Sequence, residues 1–91
     1  SAATITPRTA MIQVLEISET HLHVVYSANV DASTLNPADY ESNPTATAPD
    51  TVTQISPRVV ELEFPSDIET DFSLSWIGTT PGILTPQTIL H

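Results

Sequence analysis

The chain has 91 residues, with 11 acidic side chains against two basic ones and a formal charge of -9. Its only Lys/Arg cations are Arg8 and Arg58, and it has no cysteine. That composition argues against nucleic-acid binding and attachment to an anionic membrane, which depend on Lys and Arg, and it excludes Schiff-base lysine, P-loop lysine, disulfide and thiolate chemistry.

Apolar residues make up 40% of the chain and are spread along it in short runs, which suits one packed domain over residues 1–91 and not an acidic tail. Residues 1–9 read as a linker arm. The start at Ser1 instead of Met is what a processed chain, or a segment of a longer one, would show. No apolar run approaches the ~20 residues of a membrane-spanning helix.

Met11 to Ile17 predicts the first strand, with Ile12 and Val14 on one face and Leu15 and Ile17 on the other. That mid-strand slip in phase calls for a bulge or a change of sheet. Ser18-Glu19-Thr20 turns the chain into a second strand, His21 to Ser27, where Leu22, Val24 and Tyr26 alternate with His21, His23 and Val25. Residues 28–50 are rich in turn formers, and Asn36-Pro37-Ala38-Asp39-Tyr40 predicts a turn or a single helical turn. Val52 to Ile55 reads as a short strand ended by Pro57.

Val60, Leu62 and Phe64 alternate with Val59, Glu61 and Glu63, and Phe72, Leu74 and Trp76 with Ser73, Ser75 and Ile77. Both patterns predict strands with one wet face. Ile83 to Leu90 supplies a last strand interrupted at Pro86. No stretch carries a helical period, so about seven short antiparallel strands in a β-sandwich are expected. The predicted core is Leu22, Val24, Tyr26, Val30, Leu35, Tyr40, Val60, Leu62, Phe64, Phe72, Leu74 and Trp76.

Val24-Val25-Tyr26-Ser27-Ala28-Asn29-Val30-Asp31, then Ser33-Thr34-Leu35 and Asp39-Tyr40, resembles the signature of Ig-like domains in bacterial surface-layer and adhesive proteins. The Val60–Phe64 and Phe72–Trp76 strands are similar to that family's next two. The resemblance implies an Ig-like (fibronectin-III-like) Greek-key sandwich. It also implies a non-catalytic spacer or adhesion module of a larger bacterial surface or secreted protein, extracellular or at the cell surface, with protein partners or neighbouring domains and monomeric as a module.

Several constellations invite chemistry. His21 and His23 lie two apart on a strand and so share a face, as two ligands of a zinc or copper ion would. No third ligand is nominated, and a solvated strand face accounts for them as well. Asp67, Glu69 and Asp71 place three carboxylates at alternate positions, and Asp31, Asp39, Glu41 and Asp50 form a second acidic set if their loops meet. Oxygen ligands suit calcium, whereas short carboxylates also serve turns by bonding their own backbone. Trp76 and Tyr26 would stack on sugars if exposed, but both are in phase with aliphatic neighbours and read as core. Tyr40 is expected to be buried with its hydroxyl bonded.

No Gly-x-Ser-x-Gly motif or triad context is present, so no catalytic, cofactor-binding or metal-ligating residue is assigned, and no enzyme is expected. A second expectation is a complete small virion protein, decorating a capsid or associated with a tail, homo-oligomeric and with Ser1–Thr9 and Gly82–His91 ordered only against a neighbour. A carbohydrate-binding module is a weaker third.

Overall fold

Alternation of apolar and polar residues builds the centre of this protein. In the computed structural model, which describes residues 9–68 and 71–90, seven strands form. They are β1 (Met11–Glu16), β2 (His21–Tyr26), β3 (Tyr40–Asn43), β4 (Thr51–Ser56), β5 (Val59–Glu63), β6 (Ser73–Trp76) and β7 (Gln87–Leu90). All pair antiparallel, in a four-stranded sheet of order β1-β2-β5-β4 and a three-stranded sheet of order β3-β6-β7.

The inner faces of the two sheets meet in one core. Leu22, Val24, Tyr26, Val60 and Leu62 come from one sheet, Tyr40, Leu74 and Trp76 from the other, and all are fully buried. Each such side chain contributes roughly 1.5–3 kcal/mol by leaving water. Val30 is only partly buried, while Met11, Val14 and Ile83 join the core unannounced by the sequence pattern.

The slip in β1 is a bulge. Met11 pairs with Tyr26 and Gln13 with Val25, so Ile12 is the extra residue. As a result Met11 and Val14 face inward and Ile12 faces out, 59% exposed, contrary to the expected Ile12–Val14 face. A second register shift between Gln54 and Ser56 pushes Ile55 outward in the same way.

Between β2 and β4 the chain makes two single 3-10 turns, Ala32–Thr34 and Pro37–Asp39, capped by the side chains of Asp31 and Asn36. The second is the predicted helical turn. It delivers Tyr40 straight into β3, a strand that the sequence reading missed, and a tight turn between Ser42 and Thr47 follows.

The register fixes where the chain enters and leaves. One end of the molecule, the tyrosine end, holds Tyr26 at the close of β2 and the paired Tyr40 and Trp76. The other, the hairpin end, holds the Ser18–Thr20 turn, to which Phe64 and Ile68 are hydrogen-bonded. β1 starts at the tyrosine end, opposite Tyr26, and β7 finishes at the hairpin end with Leu90 opposite Ser73. The arm expected over 1–9 lies, apart from Thr9, outside the described residues. Thr9 itself forms a parallel bridge to Ile83. Gly82 to Leu90 is held by this bridge and by β6, that is, by the chain's own residues.

Candidate functional site

The outer face of the four-stranded sheet carries the histidine pair. Cross-strand register sets His21 opposite Glu63 and His23 opposite Glu61. The Nε2–H of His21 donates to Glu63 Oε2 at 2.9 Å, and that of His23 to Glu61 Oε2 at 3.0 Å. The Ser18 and Thr20 hydroxyls both lie 2.9 Å from His21 Nδ1, the other ring nitrogen. Each ring is thus committed to its own carboxylate, and both pairs are partly exposed. Thr51 and Thr53 of β4 continue the same rows beyond Glu63 and Glu61.

Among the described residues the acidic side chains do not converge. Among the described residues no group of three or more His, Cys, Asp or Glu side chains is placed to hold a metal ion. Asp31 works within its own turn: the Ser33 hydroxyl, then the Ser33 backbone N–H, donate to its carboxylate and hold it below the usual range. Asp39 accepts at its carbonyl from Ile77 N–H at the tyrosine end, whereas Asp50 N–H donates to Glu63 carbonyl at the hairpin end. Glu41 sits on the outer face of the smaller sheet, opposite Ser75. In the Asp67–Asp71 segment Glu69 lies outside the described residues, and Asp67 and Asp71 are exposed.

All five aromatic rings are interior: Tyr26, Tyr40, Phe64, Phe72 and Trp76. None is offered as a platform for a sugar ring. Tyr40 meets Trp76 edge to face with centroids 4.8 Å apart, and the indole N–H donates to Thr85 Oγ1 at 3.1 Å. The Tyr26 and Tyr40 hydroxyls are hydrogen-bonded to each other across the core. Burial pushes Tyr26 up to about 12, its bond to Tyr40 opposing the rise. Tyr40 is pushed up as well, by burial first and then by the neighbouring Tyr26.

The hairpin end also has an open cleft of about 390 Å³ lined by Asn43, Pro44, Asp71, Phe72, Ser73 and Leu90. Asp71 is its one ionisable group, so the lining offers no acid–base pair. The outer face of the smaller sheet is a polar ladder in which Asn43 Nδ2 donates to Ser75 Oγ, itself 3.0 Å from Thr88 Oγ1.

Sequence reasoning named the two histidines but not their partners. The signal was present, because two strands that alternate in the same phase and pair antiparallel must set His and Glu on one face. What alternation alone does not give is the register that chooses Glu61 and Glu63. No protein-family model matches the chain, and neither a curated protein nor a solved structure matches it significantly.

Proposed function

We propose that this chain is a non-catalytic Ig-like module, a spacer or adhesion domain of a larger bacterial surface or secreted protein. The observation that carries the reading is the strand order: β1-β2-β5-β4 facing β3-β6-β7 corresponds to the ABED and CFG sheets of a constant-type Ig domain. Chain crossings between sheets at β2–β3, β3–β4 and β5–β6 agree with Greek-key connections.

Two further features support a module in a row. The chain enters at the tyrosine end and leaves at the hairpin end, so each copy adds its full length to a tether. The charge of -9 on a lysine-free surface keeps neighbouring modules from associating side by side.

Size-exclusion chromatography with light scattering, at two concentrations and with or without calcium, tests the reading. A monomer under every condition supports it. A closed ring or other defined oligomer would move the assignment to a virion assembly component.

A further inference from the structure

We infer that the open edge of β4 takes up an extended segment of another protein as an added strand, and that this segment carries Lys or Arg at alternate positions. The inference rests on the adhesion half of the reading above and names the chemistry of the partner. Among the described residues the other strand edges are covered or interrupted. Thr47 caps β3, exchanging backbone hydrogen bonds with Ser42. β1 starts against β7, where Met11 N–H donates to Gln87 Oε1 at 3.0 Å, and the Ile12 bulge breaks it. β4 closes the four-stranded sheet with no strand on its far side, and Thr51 to Ser56 holds no charged residue. Such an edge is a template for pairing. Its bulged end is occupied by Gln54, whose Oε1 accepts from Ala32 N–H at 2.8 Å, which leaves Thr51–Thr53 as the open stretch.

The rows that cross this stretch define what pairs with it. Thr51 and Thr53 are exposed and stand opposite Glu63 and Glu61, which His21 and His23 flank on the other side. An added strand lies about 4.8 Å beyond β4, so a Lys or Arg in each row extends over the short threonine to the carboxylate. Glu63 and Glu61 each bond a histidine through Oε2, and the second carboxylate oxygen accepts further donors. Between the rows, Val52 packs against the core yet is only partly buried, and an apolar residue beside it completes the cover. The recognised pattern is therefore basic, apolar, basic in extended backbone. This chain does not contain it, since it lacks lysine and its two arginines are Arg8 and Arg58. A charge of -9 repels a second copy and draws a basic segment in.

A capped Lys-Val-Lys-Val-Lys-Val peptide, titrated into isotope-labelled protein and followed by nuclear magnetic resonance, tests this. The expected result is saturable binding that shifts the amides of Thr51, Val52 and Thr53. A Glu-Val peptide of the same length should not bind. Nor should the Lys-Val peptide N-methylated throughout, which keeps its charge and loses its ladder donors. Glu61→Gln combined with Glu63→Gln should weaken binding about tenfold, through the loss of two exposed charge pairs. No binding at millimolar peptide, equal binding of the N-methylated peptide, or shifts centred on another edge would each overturn the inference. So would concentration-dependent protection of the same amides without peptide, which would make a second copy the occupant. The module reading stands or falls separately, on the solution mass of the peptide-free protein.

Discussion

The phenol oxygens of Tyr26 and Tyr40 share a hydrogen bond in the middle of the core, and with it they join β2 of one sheet to β3 of the other. Neither ring is exposed, so each hydroxyl depends on the other for the partner that water would otherwise supply. A buried pair of this kind specifies how two sheets sit on each other, because sliding either sheet leaves both groups unpaired.

Removing one hydroxyl should therefore cost more than removing both. Tyr26→Phe or Tyr40→Phe strands a buried donor or acceptor, at roughly 1–3 kcal/mol. The double variant should lose clearly less than the sum, giving a coupling of about 0.5–3 kcal/mol in a double-mutant cycle by urea denaturation. Strict additivity would mean that the bond does not form in solution.

The same pair makes the fold alkali-sensitive. Tyr26 titrates up at about 12 in the native protein, driven by burial, against ~10 when unfolded. Below pH ~10 both states hold the proton and stability is full. As pH rises toward 12 the unfolded chain sheds a proton the native state keeps, so stability falls, by up to about 1.4 kcal/mol per pH unit for each such phenol. Tyr40 shifts in the same direction and adds to the loss. In denaturation curves across this range, the double Phe variant should show a flatter decline than the unaltered chain.

Gly78 has no room for a side chain. A Cβ there would lie 2.5 Å from Trp76 Cζ2 and 2.7 Å from Asp39 Cγ, and Trp76 is fully enclosed. Gly78→Ala should destabilise by about 1–3 kcal/mol through overpacking. Trp76 emission, expected well to the blue of free indole, should move toward red if the ring is displaced.

Ala46 is the opposite case. It holds φ 55° in the turn between Ser42 and Thr47, a conformation that favours glycine. Ala46→Gly should raise stability by about 0.5–1 kcal/mol, measured as a higher thermal midpoint; Ala46→Val should lower it.

The His21–Glu63 and His23–Glu61 pairs are surface pairs, each expected to contribute under about 1 kcal/mol. With each ring bonded to its own carboxylate, added zinc should leave the thermal midpoint unchanged, both in the unaltered chain and in the variant combining His21→Ala with His23→Ala. A midpoint that rises with zinc, and no longer does so in the double variant, would revive the metal reading.

Three strands were legible because their buried residues alternate without interruption: Leu22-Val24-Tyr26, Val60-Leu62-Phe64 and Phe72-Leu74-Trp76. β3 was not. Its four residues bury only Tyr40 and Ser42, and a serine facing the core sends no apolar signal. In β1 the slip in phase called for a bulge or a change of sheet; pairing with Tyr26 decides for the bulge and places it at Ile12, since Ile12 and Met11 are equally apolar. The histidine–glutamate rows were half legible, their face coming from alternation and their partners from register.

Strand order decides between a two-sheet module and any other all-β arrangement, and cross-strand nuclear Overhauser effects measure it in solution. Contacts pairing Val24 with Val60, Ser42 with Leu74, and Leu74 with Ile89 are the predicted result. Backbone contacts that pair β2 with β3 edge to edge, as in a simple up-and-down meander and as distinct from the Tyr26–Tyr40 side-chain contact across the core, would contradict the two-sheet order and with it the proposed module.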